Sequence, residues 1–334
     1  MTEPATPLPL LSIVVPCYNE QEVLHESARR LGVVLASLIE SGDVRADSHI
    51  CFVDDGSTDR TWIIIEELSA GSPSVHGIRL TRNRGHQNAL LAGLFNVRGD
   101  IVITIDADLQ DDPNAISAMV CQYRGGSQIV YGVRNRRNLD SRFKRWTAIS
   151  YYRLLKWMGV ELVFNHADYR LMSRVAIDIL REYGETNLFL RGIIPQLGFR
   201  SSCVGYDRSN RLAGETKYPL GAMLALAIQG ITSFSTVPLR LITILGLLLS
   251  VLSCGFAGWA LIARFVTHDV VPGWASTVVP IYFIGGIQLL CVGVVGEYLG
   301  KTYMETKQRP RYTIEKRIGE RHSARGAGAD GRNL

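Results

Sequence analysis

The segment ITIDADLQDD, residues 103–112, places Asp106, Asp108, Asp111 and Asp112 close together behind an apolar run. Carboxylates this close repel one another, and such a cluster needs a cation or a hydrogen-bonding ligand to offset the repulsion. Asp106 and Asp108 are separated only by small Ala107, and Gln110 follows. The donors are all oxygen, with neither His nor Cys among them. That set suits a hard divalent cation, Mg2+ or Mn2+, and disfavours zinc. A hard cation takes a few carboxylate oxygens and completes its shell with water and substrate phosphate. The cluster therefore reads as half of a metal–diphosphate site. GxxxxGK[ST] does not occur, and GxGxxG occurs only at 326–331 in the tail, behind no expected strand, so the common glycine-loop solutions to phosphate binding are not used.

Such a loop needs elements to hold it. LLSIVV, HICFV, HGIRL, DIVITI and QIVYGV read as buried strands, with helices expected over about 22–39, 58–69, 89–96 and 113–123. Ile- and Val-rich strands alternating with helices predict an α/β fold, a mostly parallel sheet with helices on both faces. Ligands of such sheets bind outside the carboxyl ends of the strands. That edge collects PCYNE (16–20), DDGSTD (54–59), TRNRGHQNA (81–89) and the aspartate loop. Helix capping is sufficient reason for Asp59, and chain reversal for Gly56. Asp54 and Asp55 are expected to converge with Asp106 and Asp108.

The average composition, 47% hydrophobic and 20% charged, hides an uneven chain. Residues 241–263 and 274–296 carry no charge, and each run is long enough to cross a bilayer core of ~30 Å as a helix. A two-helix transmembrane hairpin is expected, with spans at about 240–264 and 274–298. Residues 301–334 hold nine Lys/Arg against four Asp/Glu, and 134–157 hold eight against Asp140 alone. The loop between the spans has only Arg264, so both termini are expected in the cytoplasm. Basic side chains interleaved with Trp146, Tyr151, Tyr152 and Trp157 predict a helix over about 141–158 lying on membrane lipids, rather than a nucleic-acid surface. The expected organisation is a catalytic domain over 1–216, a juxtamembrane helix over 217–236, the hairpin over 237–300 and a basic tail over 301–334. Six scattered cysteines without a CxxC pair argue against zinc and disulfides. Gly285, Gly286 and Gly293 permit close helix packing and a homo-oligomer.

VVPCYNE, VDDGSTD, RNRGHQNAL, DADLQDDP, ADYRLMSR and RLAGETKYPLG, in this order, resemble the family 2 glycosyltransferases of GT-A fold. Within them the chain is similar to the polyprenyl-phosphate type, the group of the bactoprenol glucosyltransferases and dolichyl-phosphate mannose synthase. The resemblance implies that Pro16, Tyr18, Glu20, Val53, Asp54, Asp55, Asp106 and Ala107 hold a nucleotide, with Asp55 accepting from the base. It implies Asp106, Asp108 and Gln110 around Mg2+ or Mn2+, and Arg134, Arg211 and Lys217 on the diphosphate. Asp168 falls at the family's candidate base. A phosphate monoester has a second pKa of ~6 and is mostly ionised at neutral pH, so orientation suits Asp168 better than proton removal. His86 departs from relatives that often carry Lys there.

The implied activity is inverting transfer of a hexose, glucose first, from a UDP-sugar to undecaprenyl phosphate. Its place would be the cytoplasmic face of the bacterial inner membrane, in a multi-pass protein. A flippase and a periplasmic glycosyltransferase would act downstream, for example in O-antigen modification. An aminoarabinose derivative, galactose, mannose or N-acetylhexosamine is the alternative sugar, and a degenerate nucleotide-binding scaffold the non-enzymatic alternative. The QxxRW signature of processive synthases is missing.

Overall fold

The computed structural model describes residues 7–108, 110–134, 166–185, 190–207, 237–262 and 274–319. Arg211, Lys217, the surface helix expected over 141–158 and the juxtamembrane helix over 217–236 lie outside the described residues. In chain order the elements begin β1 (Leu11–Cys17), α1 (Leu24–Glu40), β2 (His49–Asp54), α2 (Thr61–Gly71), β3 (Val75–Leu80), α3 (His86–Asn96), β4 (Ile101–Thr104) and α4 (Ala115–Arg124). There follow β5 (Ile129–Arg134), β6 (His166–Ser173), α5 (Arg174–Glu182), α6 (Leu190–Gln196), β7 (Ser201–Tyr206), α7 (Val237–Ile262), α8 (Trp274–Thr306) and β8 (Ile314–Ile318).

The strands form one 8-stranded sheet in the order β7-β5-β6-β4-β1-β2-β3-β8. β3, β2, β1 and β4 run parallel, as their continuous apolar sequences predict for strands covered on both faces. Alternate side chains divide the core. Ile13, Val15 and Phe52 pack with Leu31 and Leu35 of α1, Ile65 of α2 and Met119 of α4. Val14 and Val53 pack on the other face with Leu91 of α3, Ile177 of α5 and Ile193 of α6. Gly93 fixes how closely α3 lies on β1, because a Cβ there would stand 2.2 Å from Val14 Cγ1.

Two antiparallel strands matter for the site. β6 pairs with β4, Thr104 opposite Arg170, and with β5. Running against its neighbours, it starts where they end, and this carries Asp168 to their carboxyl edge. β8 pairs with β3 at the sheet margin. The sequence reading had these residues in a basic tail, because Glu315, Lys316 and Arg317 mask the strand pattern. A register shift at Arg79/Leu80 lets Ile318 pack on one core layer and Ile314 on the other. Lys316 Nζ reaches Glu66 at 2.6 Å, and Asn96 donates to Tyr312 Oη at 3.0 Å.

α7 has 26 residues and α8 has 33. Their apolar side chains stand open, Leu247, Val251, Phe283, Leu289 and Leu290 among them. Among the described residues one stretch, Phe283–Thr306, is long and apolar enough to cross a membrane, and Val237–Leu249 is a shorter apolar stretch. The chain leaves α8 at Thr306 and enters β8 at Ile314, so the foot of α8 is tied to the sheet.

Candidate active site

An open crevice of about 290 Å³ lies at the carboxyl edge of the parallel strands. β1 contributes Pro16 and Cys17 to its wall, the loop after β1 contributes Tyr18 and Glu20, and the loop after β4 contributes Asp106, Ala107 and Asp108. Asp55, Asn83, Gly85, His86 and Ala89 complete the lining. The crevice is acidic, and His86 is its sole basic side chain among the described residues.

The loops are built on one another. Asn19, in the left-handed region at φ 55°, donates its N–H to Ser57 Oγ at 3.0 Å and accepts from Thr58 N at 2.9 Å. Asp59, expected as a helix cap, stands one residue ahead of the α2 N-cap Arg60 and accepts from Thr61 N at 2.9 Å and Gln21 N at 3.3 Å. Gly56, at φ 69°, presses against the Arg82 backbone, which a Cβ would meet at 2.6 Å. Asp55 accepts from the Arg84 and Gly85 N–H groups at 2.7 and 2.8 Å, so both its oxygens hold the loop ahead of α3. Burial pushes its pKa up.

Val53 and Asp54, expected at the nucleotide, are both 0% exposed and do not line the crevice. Successive side chains of a strand point to opposite faces. Val53 lies in the core, and Asp54 accepts from Ser57 N at 3.0 Å and faces Arg79 Nε at 3.4 Å. They hold the loop from beneath. Three of the four carboxylates expected to converge, Asp55, Asp106 and Asp108, remain at the crevice.

Asp106 keeps 37% of its side chain open, yet its pKa is pushed up to about 6. Burial is the main cause, and the Asp168, Asp111 and Asp108 charges add to it against His86. Gln110 is buried behind the wall, its N–H on Asp108 Oδ1 at 3.2 Å. Among the described residues no group of three His, Cys, Asp or Glu side chains converges on one point. A cation placed here would hold Asp106 and Asp108 and take its other ligands from water and phosphate, the habit of Mg2+. The crowded, acidic oxygen set fits such an ion.

A pH dependence follows with a definite sign. The folded protein binds the Asp106 proton more tightly than the unfolded chain. Ionised Asp106 therefore destabilises the metal-free fold as pH rises through about 6. Discounted for its exposure, the cost is about 1–2 kcal/mol at pH 7.5. Asp106→Asn is expected to melt higher than wild type at pH 7.5 without metal, and no higher at pH 4. Differential scanning calorimetry in chelator checks this, and equal melting at both pH values would refute it.

The remaining aspartates of the loop turn inward. Asp111 accepts from Tyr206 Oη at 2.7 Å, and from Arg134 Nη2 and Nε at 3.1 and 3.3 Å. Asp112 accepts from Asn114 N at 3.0 Å ahead of α4. Arg134 is thus held beside the metal loop by a buried carboxylate and by the last residue of β7. Tyr206→Phe removes one bond to a charged group and leaves the packing. It is expected to lower kcat/KM for the donor by about 5–30-fold, with the fold unchanged by circular dichroism. Wild-type kinetics would show that the Arg134 placement is irrelevant.

Asp168 is the most tightly held carboxylate of the edge. Buried Arg170 donates to Oδ1, and Arg191 Nη2 donates to Oδ2 at 3.0 Å. His86 Nε2 stands 3.6 Å from Asp168 Oδ2 and 3.6 Å from Asp106 Oδ1. Burial alone would raise the Asp168 pKa, but His86 beside it and the two guanidinium charges hold it well below the usual carboxylate range. Burial pulls His86 down, and the neighbouring Asp168 and Asp106 carboxylates lift it above its ordinary value.

The family model for glycosyl transferase family 2 matches residues 12–180, the span that carries β1 to β6 and every crevice residue. The chain belongs to glycosyl transferase family 2. It is 49% identical over 309 residues to the uncharacterized glycosyltransferase YkoT of Bacillus subtilis (strain 168), covering 92% of this chain and 91% of that one. It is 38% identical over 311 residues to the bactoprenol glucosyl transferase of Shigella phage SfX, covering 92% and 99%. Among solved structures, glucosyl-3-phosphoglycerate synthase from Mycobacterium tuberculosis, in complex with Mn2+, UDP and phosphoglyceric acid, is similar at 21% identity and TM-score 0.45. It covers 67% of this chain and 76% of that one.

The protein is therefore a glycosyltransferase with a mixed α/β GT-A-like sheet. Within this family 2 site, Pro16, Tyr18, Glu20, Asp55, Asp106, Ala107 and Asp108 share one wall. Asp168 joins them through His86, and Arg134 through Asp111. The sequence reading passed over Asp111, Tyr206 and Arg191. The fourfold aspartate cluster was the available signal for Asp111, whereas Tyr206 and Arg191 carry none beyond their residue type.

Proposed function

We propose that the protein transfers glucose from UDP-glucose to undecaprenyl phosphate at the cytoplasmic face of the bacterial inner membrane. The observation that carries this is the 38% identity, over nearly the whole of both chains, to a protein named bactoprenol glucosyl transferase. Two features of the molecule support it. The crevice is acidic and oxygen-lined, as a metal-bound diphosphate requires, and the sheet is tied through β8 to an apolar helix of membrane-crossing length.

In this reading Pro16, Tyr18, Glu20 and Asp55 receive the uridine, and Asp106 and Asp108 would hold Mg2+ or Mn2+, with Gln110, buried behind the wall, steadying Asp108 through its N–H. The ion would neutralise part of the diphosphate charge. Arg134, steadied by Asp111 and Tyr206, stabilises the negative charge that gathers on the leaving UDP, with Arg211 and Lys217 assisting. Asp168, held ionised, orients the substrates. The acceptor's phosphate oxygen attacks the anomeric carbon from the face opposite UDP, the C1–O bond to UDP breaks, and a β-linked sugar phosphate results. α7 and α8 form the two-span hairpin, with both chain termini in the cytoplasm. Domain limits follow the sequence reading, except that 314–318 return to the catalytic sheet.

Purified protein with undecaprenyl phosphate, Mn2+ or Mg2+ and a panel of UDP-sugars tests the proposal. A lipid-extractable, β-linked product from UDP-glucose is expected. A product from UDP-galactose, UDP-N-acetylhexosamine or a UDP-aminoarabinose derivative alone would overturn the sugar. Absence of any lipid product or metal-dependent UDP release would overturn the activity.

A further inference from the structure

A site lined by Glu20, Asp55, Asp106 and Asp108 repels any second anion that approaches it. The acceptor of the proposed reaction is a phosphate dianion, so something beside this crevice must attract it. Of the cations described there, Arg170 is buried beneath Asp168 with 1% exposure. Arg134 is committed to Asp111 and Tyr206. Arg191 is different. Its side chain is 43% exposed while its Nη2 donates to Asp168 Oδ2.

Two guanidiniums thus flank the single Asp168 carboxylate, Arg170 on Oδ1 and Arg191 on Oδ2, with Arg191 Nε also 3.4 Å from Oδ1. Its position is built in. Gln87, next to His86 at the start of α3, accepts from Leu190 N through Oε1 at 3.3 Å, which ties the first turn of α6 to the crevice wall. Asp168 Oδ2 is shared between Arg191 and His86, and His86 in turn reaches Asp106 of the metal loop. Arg191 is therefore linked through Asp168 and His86 to Asp106 of the crevice.

We infer that Arg191 receives the phosphate of the acceptor, and that Asp168 and Arg170 are the rigid base from which it does so. This rests on the polyprenyl-phosphate reading above. A planar guanidinium suits the task, because its forked donors engage carboxylate and phosphate alike. With Asp168 fixing one edge of the fork, the phosphate docks without ordering a free side chain.

The test is steady-state kinetics of wild type, Arg191→Lys and Arg191→Gln, varying acceptor and donor separately. For Arg191→Gln, acceptor KM is expected to rise at least about tenfold, while donor KM and UDP affinity with Mn2+ stay within about twofold. Arg191→Lys keeps the charge and loses the fork, so an intermediate acceptor KM is expected. Inorganic phosphate should compete with the acceptor in wild type and lose at least about fivefold in potency in Arg191→Gln. A fall in kcat with acceptor KM and phosphate inhibition unmoved would mean that Arg191 only positions Asp168, and would overturn the inference alone. A wild type that glycosylates no polyprenyl phosphate would overturn the function reading and this inference together.

Discussion

Asp108→Asn is expected to reduce the proposed glucosyl transfer at least about 100-fold and to remove the metal dependence that the proposal assigns to UDP binding. Asp108 and Asp106 are the carboxylates that the metal loop presents to the crevice, and no third His, Cys, Asp or Glu joins them among the described residues. With so few protein ligands, replacing one anionic oxygen by an amide costs the ion a large share of its binding. The diphosphate then meets an acidic wall instead of a cation, and several kcal/mol of charge stabilisation go with it. The substitution is close to isosteric. Gln110 N–H can still bond the Asn oxygen, as it bonds Asp108 now, so the loop should keep its shape. Calorimetric titration of UDP with and without Mn2+, beside turnover, separates the cases. Retained metal-dependent affinity would remove Asp108 from the metal site.

Asp168→Asn should lose activity by about 100-fold or more at every pH between 6 and 8.5, in parallel with wild type. The structural reason is the depressed pKa. With His86, Arg170 and Arg191 about it, Asp168 is ionised throughout that window and is a poor proton acceptor. Its stabilising contribution exists above the ordinary carboxylate pKa and is lost only as pH falls toward its own low value, far below the assay range. The acceptor's second pKa of ~6 leaves little to deprotonate. Loss of activity then reflects loss of the counter-ion for two guanidiniums. Because Arg170 is buried, retained UDP binding must first show that the variant folds. Selective recovery of the variant at alkaline pH would restore the general-base role.

The two predictions draw on what the sequence made legible to different degrees. β1 to β5 were readable because each is a short Ile- and Val-rich run between turn signals, and the four loops behind them could be placed on one edge. The direction of each carboxylate was not readable. Asp54 and Asp55 are neighbours, yet Asp54, the last residue of β2, is sealed under the loop, while Asp55, the first beyond it, closes the loop through the Arg84 and Gly85 N–H groups. Asp111 and Asp108 differ likewise, and only the fold brings Tyr206 across to the former. β6 was recognised as a motif rather than as a strand, since ADYRLMSR has little apolar continuity. β8 was hidden by its charges. At an edge strand charged side chains are the rule, and they discourage pairing with other chains.

The pairing of β8 with β3 makes the catalytic sheet dependent on the order of synthesis. The ribosome delivers β1 to β7 first, then both apolar helices, and only then the strand that covers the margin of the sheet. Until β8 has been made, the nascent enzyme carries β3 as a bare edge of unpaired N–H and C=O groups, open to association with other chains. Completion of the sheet therefore waits on the last stretch of the chain, and a polypeptide that stops short of Ile314 is left with the β3 edge uncovered.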